Sequence, residues 1–241
     1  MSDIENDLQN QSRRQLLKGA LVGTAAMGVP SLSNAQSIVS NSDKDSGPQV
    51  AAYVFLTPAE ASFVEAVVDH MVPADQLTPK GTDLGINVFI DRALDGSWGK
   101  GDRMYMEGPW QVGVPSQGYQ SPLLPSQLYR AGIAGTNHAC EKMYGKSFDL
   151  LTPAQKDEVL KLLEAGKVEF DGGLSSKTFF GVMYQSVVEG MFSDPIYGGN
   201  VNKAAWKMIG FPGASEVNAR NIVEYKNKRY SPKVLSIVDL S

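Results

Sequence analysis

From residue 53 onward, apolar residues return every three or four positions, the period of a helix with one buried face. Phe63, Val64, Val67, Val68 and Met71 follow the group Leu56-Thr57-Pro58-Ala59-Glu60. Thr57 is placed to cap a helix, Pro58 suits its first position, and Glu60 completes a capping box. Pro73 closes this helix. A second is predicted over residues 83–94, buried through Ile86, Phe89, Ile90 and Ala93 and stopped by Gly96. A third is predicted over residues 126–144, with Gly145 as its C-terminal stop. Leu151-Thr152-Pro153-Ala154-Gln155 then repeats the first cap almost letter for letter. It opens a fourth helix with Val159, Leu160, Leu162 and Leu163 inside and Gly166 at its end. The repeat is cap chemistry rather than a duplicated domain. Residues 176–192 have the widest apolar face: Phe179, Phe180, Met183, Tyr184, Val187, Val188, Met191 and Phe192. They predict the central helix. No run of alternating strand-type residues occurs. The predicted fold is mainly α, a single compact helical domain (residues 53–213) with long Gly/Pro-rich loops.

Two of those loops break the helical pattern. Residues 96–125 hold six glycines and four prolines, with Tyr105, Trp110 and Tyr119 among them. A stretch of this length inside a compact domain is either a functional or interfacial loop or a self-packed Ω-loop whose aromatics cover the core. Residues 192–213 read FSDPIYGGN, then Trp206, then IGFPG. Asp194 before Pro195 favours a turn, Gly198 and Gly199 permit positive φ, and Asn200 can cap a short helix through Trp206. This corner holds Trp206 against the core, presents Tyr197 to a partner, or does both.

Upstream of residue 53 the pattern changes character. Ser12-Arg13-Arg14-Gln15-Leu16-Leu17-Lys18 precedes a Gly/Ala-rich apolar stretch that Pro30 ends, and Ser33-Asn34-Ala35 has the small-x-small form of an export cleavage site. Paired arginines with mild hydrophobicity fit a twin-arginine signal, and the stretch falls short of the about 20 apolar residues that span a bilayer. Residues 1–35 are therefore expected to be an export signal centred on Arg13 and Arg14, read by the twin-arginine machinery, which carries folded cargo. The expected location is the periplasm. Residues 36–52 are polar and aperiodic, a tether. Losing residues 1–35 removes three acidic and three basic residues, and the net charge stays at −4.

Composition narrows the chemistry. The chain has 241 residues, 42% of them apolar, enough for a real core. Its pI near 5.3 argues against a nucleic-acid partner. One Cys and two His exclude an internal disulfide, covalent haem attachment and multi-cysteine or His-rich metal sites. No dinucleotide fingerprint, phosphate loop or nucleophile elbow occurs. His138 and Cys140 are two apart on a helix and point away from each other, so they form no catalytic pair. Cys140 reads as a small buried apolar residue. Asp69 and Asp91 read as surface carboxylates on their helices, with nothing pairing them for acid–base work. No catalytic, cofactor-binding or metal-binding residue is expected in this chain.

The corner FSDPIYGGN…W…IGFPG resembles subunit 3 of the gluconate 2-dehydrogenase family. So do FLTPAE, the MVPAD stretch (residues 71–75) and SQGYQSPLLPSQLYR (residues 116–130). The resemblance covers residues 55–213 and is most specific at the Gly-Gly-Asn segment with Trp206. It implies a small, cofactor-free subunit of a periplasmic, membrane-bound flavin dehydrogenase. In such a complex an FAD-bearing catalytic subunit oxidises a sugar, sugar acid or polyol. A multihaem cytochrome c subunit passes the electrons to quinone, and the small subunit supports export and maturation. On this reading the chain meets the cytoplasmic membrane only through its partners, and FAD and haem c reside in those partners.

The candidate partner interface is Trp110 and Tyr119 in the long loop, with Asp194, Pro195, Tyr197, Gly198, Gly199 and Asn200 in the corner. Residues 214–241 lie outside the resemblance and are expected to be an extension that grips a partner. Two other classes stay open: an independent exported enzyme with a site of unfamiliar form, and a periplasmic ligand-binding protein.

Overall fold

The structure, a computed structural model, describes residues 52–240 except 112, 115, 116, 118, 119, 215–218 and 231. The expected export signal with Arg13 and Arg14, the tether up to residue 51, and Tyr119 lie outside the described residues. Among the described residues seven α-helices follow one another: α1 (Pro58–Met71), α2 (Ile86–Asp95), α3 (Pro125–Tyr144), α4 (Pro153–Glu164), α5 (Ser176–Phe192), α6 (Ala204–Ile209) and α7 (Ala219–Glu224). Short 3₁₀ turns link several of them. No strand is found among the described residues, only the isolated bridges Glu169–Ser175 and Gly213–Leu235.

Both Thr-Pro caps form as the sequence pattern predicts. The backbone N–H of Glu60 donates to the Thr57 hydroxyl and the Glu60 side chain accepts from the Thr57 N–H. Thr152 and Gln155 do the same for α4. Gly145 ends α3 in the left-handed region at φ 69°. The second helix starts three residues later than its pattern suggests. Gly85 sits at φ 74°, and the N–H groups of Leu84, Gly85 and Ile86 close a tight turn onto Lys80, Thr82 and Gly81. Residues 83–85 are used in that turn.

Helix α5 is central and packs on α2, α3 and α4. Its Phe179 ring meets Phe63, Tyr129 and Phe170 at centroid distances of 6.4, 5.9 and 6.0 Å. A Cβ on Gly132 would lie 2.1 Å from that ring, so glycine lets α3 and α5 approach. The apolar face of α5 is wider than its buried face. Phe179, Met183 and Val187 are buried, whereas Tyr184 is exposed and stacks on Phe180, and Phe192 reaches the surface. In α2 the buried stripe includes two polar residues, Asn87 and Asp91, beside Ile86, Ile90 and Leu94. Phe89 and Ala93 are only half-buried.

The long loop between α2 and α3 is anchored at its ends. The N–H of Ser126 donates to the Gly99 carbonyl, and the N–H of Gly99 donates to Ala93. Trp98 meets Tyr129 edge-on at 6.4 Å.

Candidate partner surface

The corner after α5 is built from the inside. Asp194 is 9% exposed, and its carboxylate accepts from two backbone N–H groups, Ile196 at 3.0 Å and Ile237 at 2.9 Å. The first bond closes the turn over Pro195–Tyr197. The second reaches 43 residues along the chain to the C-terminal segment. Gly198 adopts φ 102°, and a Cβ there would press on Arg92 and Val88 of α2. At Gly199 a Cβ would lie 2.1 Å from the Gly190 carbonyl oxygen of α5. Asn200 is fully buried at φ 49°. Its side-chain amide donates to the Ser193 carbonyl, and its oxygen accepts from the Ala205 N–H, both at 3.0 Å. One side chain thus ties the end of α5 to the start of α6. Trp206 donates its indole N–H to the Phe192 carbonyl at 2.8 Å and meets Phe211 edge-on.

The C-terminal segment returns to this corner. Gly213 bridges Leu235, and the Ala214 N–H donates to the Leu235 carbonyl at 2.7 Å. Asp239 accepts from Lys203 at 2.6 Å and from the Ser236 N–H and hydroxyl. Those bonds, the Lys203 one first, hold its carboxyl down to about 2. The segment expected to reach outward is in part a strap across the corner.

Asp194, Gly199 and Asn200 are therefore interior. Ile196 and Tyr197, at 45% and 56% exposure, face outward on the turn those residues fix. Val201, Ile209, Phe211, Val238 and Leu240 are also exposed apolar residues of this corner and strap. Rigid exposed aromatic and aliphatic groups make favourable partner contacts, because little entropy is lost on burying them. Trp110 is half-exposed and packs over Gly108, well separated in sequence from the corner.

A family model described as gluconate 2-dehydrogenase subunit 3 matches residues 58–213. The chain belongs to the gluconate 2-dehydrogenase subunit 3 family. The family's name makes its members one subunit of a gluconate dehydrogenase complex. The match begins at the first residue of α1 and ends at Gly213, where the returning C-terminal segment bridges, so it contains the whole corner. No curated protein and no solved structure matches the chain.

Other titratable groups in this subunit-3 chain serve the fold. Asp91, read from the sequence as a surface carboxylate, is buried and accepts from the N–H groups of Val54, Phe55 and Leu56 at 2.8–3.0 Å. Asp69, read the same way, pairs with Lys80 at 2.8 Å and accepts from the Thr82 N–H at 2.7 Å. The surface reading is corrected for Asp91, which folding buries under the lead-in segment, whereas Asp69 stays part-exposed in its ion pair. Asp91 was legible in one respect: it stands four residues after Asn87 inside an apolar stripe, the position of a satisfied buried polar residue. Arg130 completes the clamp on the lead-in segment, donating to Glu60 and to the Phe55 carbonyl while lying 4.3 Å from the centre of the Phe55 ring.

Cys140 is buried on α3, and burial pushes its thiol up to about 11, against a nucleophilic role. His138 is exposed on the same helix. His70 Nε2 lies 2.8 Å from Asp157 and links α1 to α4; this contact, with Lys161 nearby, holds the Asp157 carboxyl below its usual range. His70 borders an open groove of about 440 Å³ lined by Ser62, Glu65, Asp69, Asp149 and Lys156. The Ser62 hydroxyl donates to the Pro58 carbonyl, so the imidazole has no hydrogen-bonded nucleophile among the described residues. No group of three His, Cys, Asp or Glu side chains among them is arranged to hold a metal ion. No helix among them is long and apolar enough to cross a membrane.

Proposed function

We propose that this chain is the non-catalytic small subunit of a periplasmic flavin dehydrogenase complex of the gluconate 2-dehydrogenase type. Its task is to support export, maturation and stability of the FAD-bearing catalytic subunit, whose electrons leave through a multihaem cytochrome c subunit. FAD and haem c belong to those partners, and this chain carries neither. The complex sits at the cytoplasmic membrane. The observation that carries the proposal is the family match across residues 58–213. Two features support it further. The leader with Arg13 and Arg14 fits export of folded cargo. A rigid corner presents Ile196 and Tyr197 outward.

Replacing Arg13 and Arg14 with Lys tests the export role. The expected outcome is loss of dehydrogenase activity from the periplasm, with both this chain and the flavin subunit retained in the cytoplasm. Full periplasmic activity in that variant would show that the partner travels on its own signal. The purified chain is expected to show no flavin or Soret absorbance.

A further inference from the structure

We propose that the arm formed by residues 219–230 docks on an anionic lipid surface, inserting Ile222 and Val223 among the headgroups. The arm lies outside the hydrophobic core. None of its residues is buried, and Ile222 and Val223 are 72% and 79% exposed on α7. A six-residue helix has too few internal hydrogen bonds to persist alone. It is held by its own clasp: Tyr225 meets Tyr230 edge-on at 4.9 Å, and the Asn221 amide donates to the Tyr230 hydroxyl at 3.1 Å. The arm thus adds nothing to the core yet keeps a defined shape.

Its charge identifies the occupant. Arg220, Lys226, Lys228 and Arg229 stand against Glu224, a formal +3 on these residues in a chain of net −4. None of the four cations forms an ion pair among the described residues. A basic element carrying protruding aliphatic groups and a tyrosine fits the interface of an anionic bilayer. The headgroups attract the cations, the acyl boundary takes the aliphatic side chains, and long Lys and Arg stems reach between the two. Its cations sit on long flexible stems, which suit a fluid charged surface better than a fixed receptor. An acidic protein partner is the competing occupant. The proposal concerns residues outside the family match, does not depend on the reading of the corner, and replaces the expectation that the chain meets the membrane only through its partners.

The test uses the full chain with vesicles of phosphatidylcholine alone or with about one-third phosphatidylglycerol. Wild type is expected to co-sediment with the anionic vesicles, less so at high salt. The variants Ile222→Ser/Val223→Ser and Lys226→Gln/Lys228→Gln/Arg229→Gln are expected to lose at least about tenfold in affinity with an unchanged melt. Residues 1–35 also place Arg13, Arg14 and Lys18 before an apolar stretch, so a second measurement localises the contact. A fluorophore on Val223→Cys is expected to be quenched by brominated lipid chains, Cys140 being buried. Variants that bind like wild type, or a probe that stays unquenched on bound vesicles, would overturn the proposal. So would an arm shielded in the lipid-free dehydrogenase complex, which would assign it to a protein partner.

Discussion

Asp91 is a buried carboxylate that holds three backbone N–H groups at once. It turns the extended lead-in segment toward α2 by satisfying three consecutive N–H groups that lie before the N-cap and outside any helix ladder. Charged acceptors make the stronger hydrogen bonds, and a buried donor left bare is expensive. Asp91→Ala is expected to lower the unfolding free energy by about 3 kcal/mol in urea denaturation. A loss below about 1 kcal/mol would mean that water replaces the carboxylate. Asp239 makes a different prediction, about pH. Its carboxyl lies at about 2 in the folded chain against an ordinary 3.8, because Lys203 and Ser236 bond the charged form. A depressed folded value stabilises above the free value and is lost as pH falls through the folded one. The strap should therefore hold through mildly acid pH and open as pH drops through about 2. NMR titration should place Asp239 there, and Lys203→Met should move it toward 3.8. Titration at the ordinary value with Lys203 in place would contradict the ion pair.

At the scale of elements, the corner works because backbone meets backbone. Gly199 lies against the last turn of α5 so closely that a methyl group would overlap the Gly190 carbonyl. Gly85 is placed likewise, with a Cβ position 2.2 Å from the Gly198 carbonyl oxygen. The corner, the α2 start and the α5 end are thus one packed joint, locked by Asn200. Gly199→Ala should destabilise the chain by about 3 kcal/mol, the cost of overpacking a site that has only backbone to displace. Thermal unfolding followed by circular dichroism measures it, and a near-neutral substitution would show that the joint is looser than its geometry.

For the whole molecule, the decisive contrast is between two aromatics of the corner. Trp206 is buried and hydrogen-bonded, whereas Tyr197 is exposed on the adjoining turn. Trp206→Ala should lower the melting temperature through loss of core packing, with about 3–5 kcal/mol of stability removed. Tyr197→Ala should leave the melt unchanged. If the corner grips the flavin subunit, it should weaken association by about 2 kcal/mol or more, seen as lost co-purification. Unchanged co-purification in Tyr197→Ala would move the interface elsewhere, with Trp110 as the next residue to replace. The strap makes the corner a property of the whole chain, since Ile237 and Asp239 bond residues 43 and 36 positions earlier.

The helices were legible because their causes are local. Capping, glycine stops and the three-to-four spacing of apolar residues act within a few positions, so α1 and α4 begin where Thr57 and Thr152 say they should, and α5 spans the predicted residues 176–192. The family was legible for a related reason: the Gly-Gly-Asn corner needs particular residue types at particular φ values. What the chain alone left undecided was which side of each polar residue would meet another segment. Asp69 and Asp91 look alike in sequence, yet one pairs with a lysine at the surface and the other is buried under a segment about 35 residues away. Asp194 and Asn200 carry the turn signals of a surface loop and are interior, whereas Tyr197 between them is not. The C-terminal segment carries no motif for its return, because its bonds are made with a carboxylate and a lysine that are near only in the folded chain. Local propensity settled the elements; burial and long-range hydrogen bonding, which depend on how those elements meet, settled the role of each polar side chain.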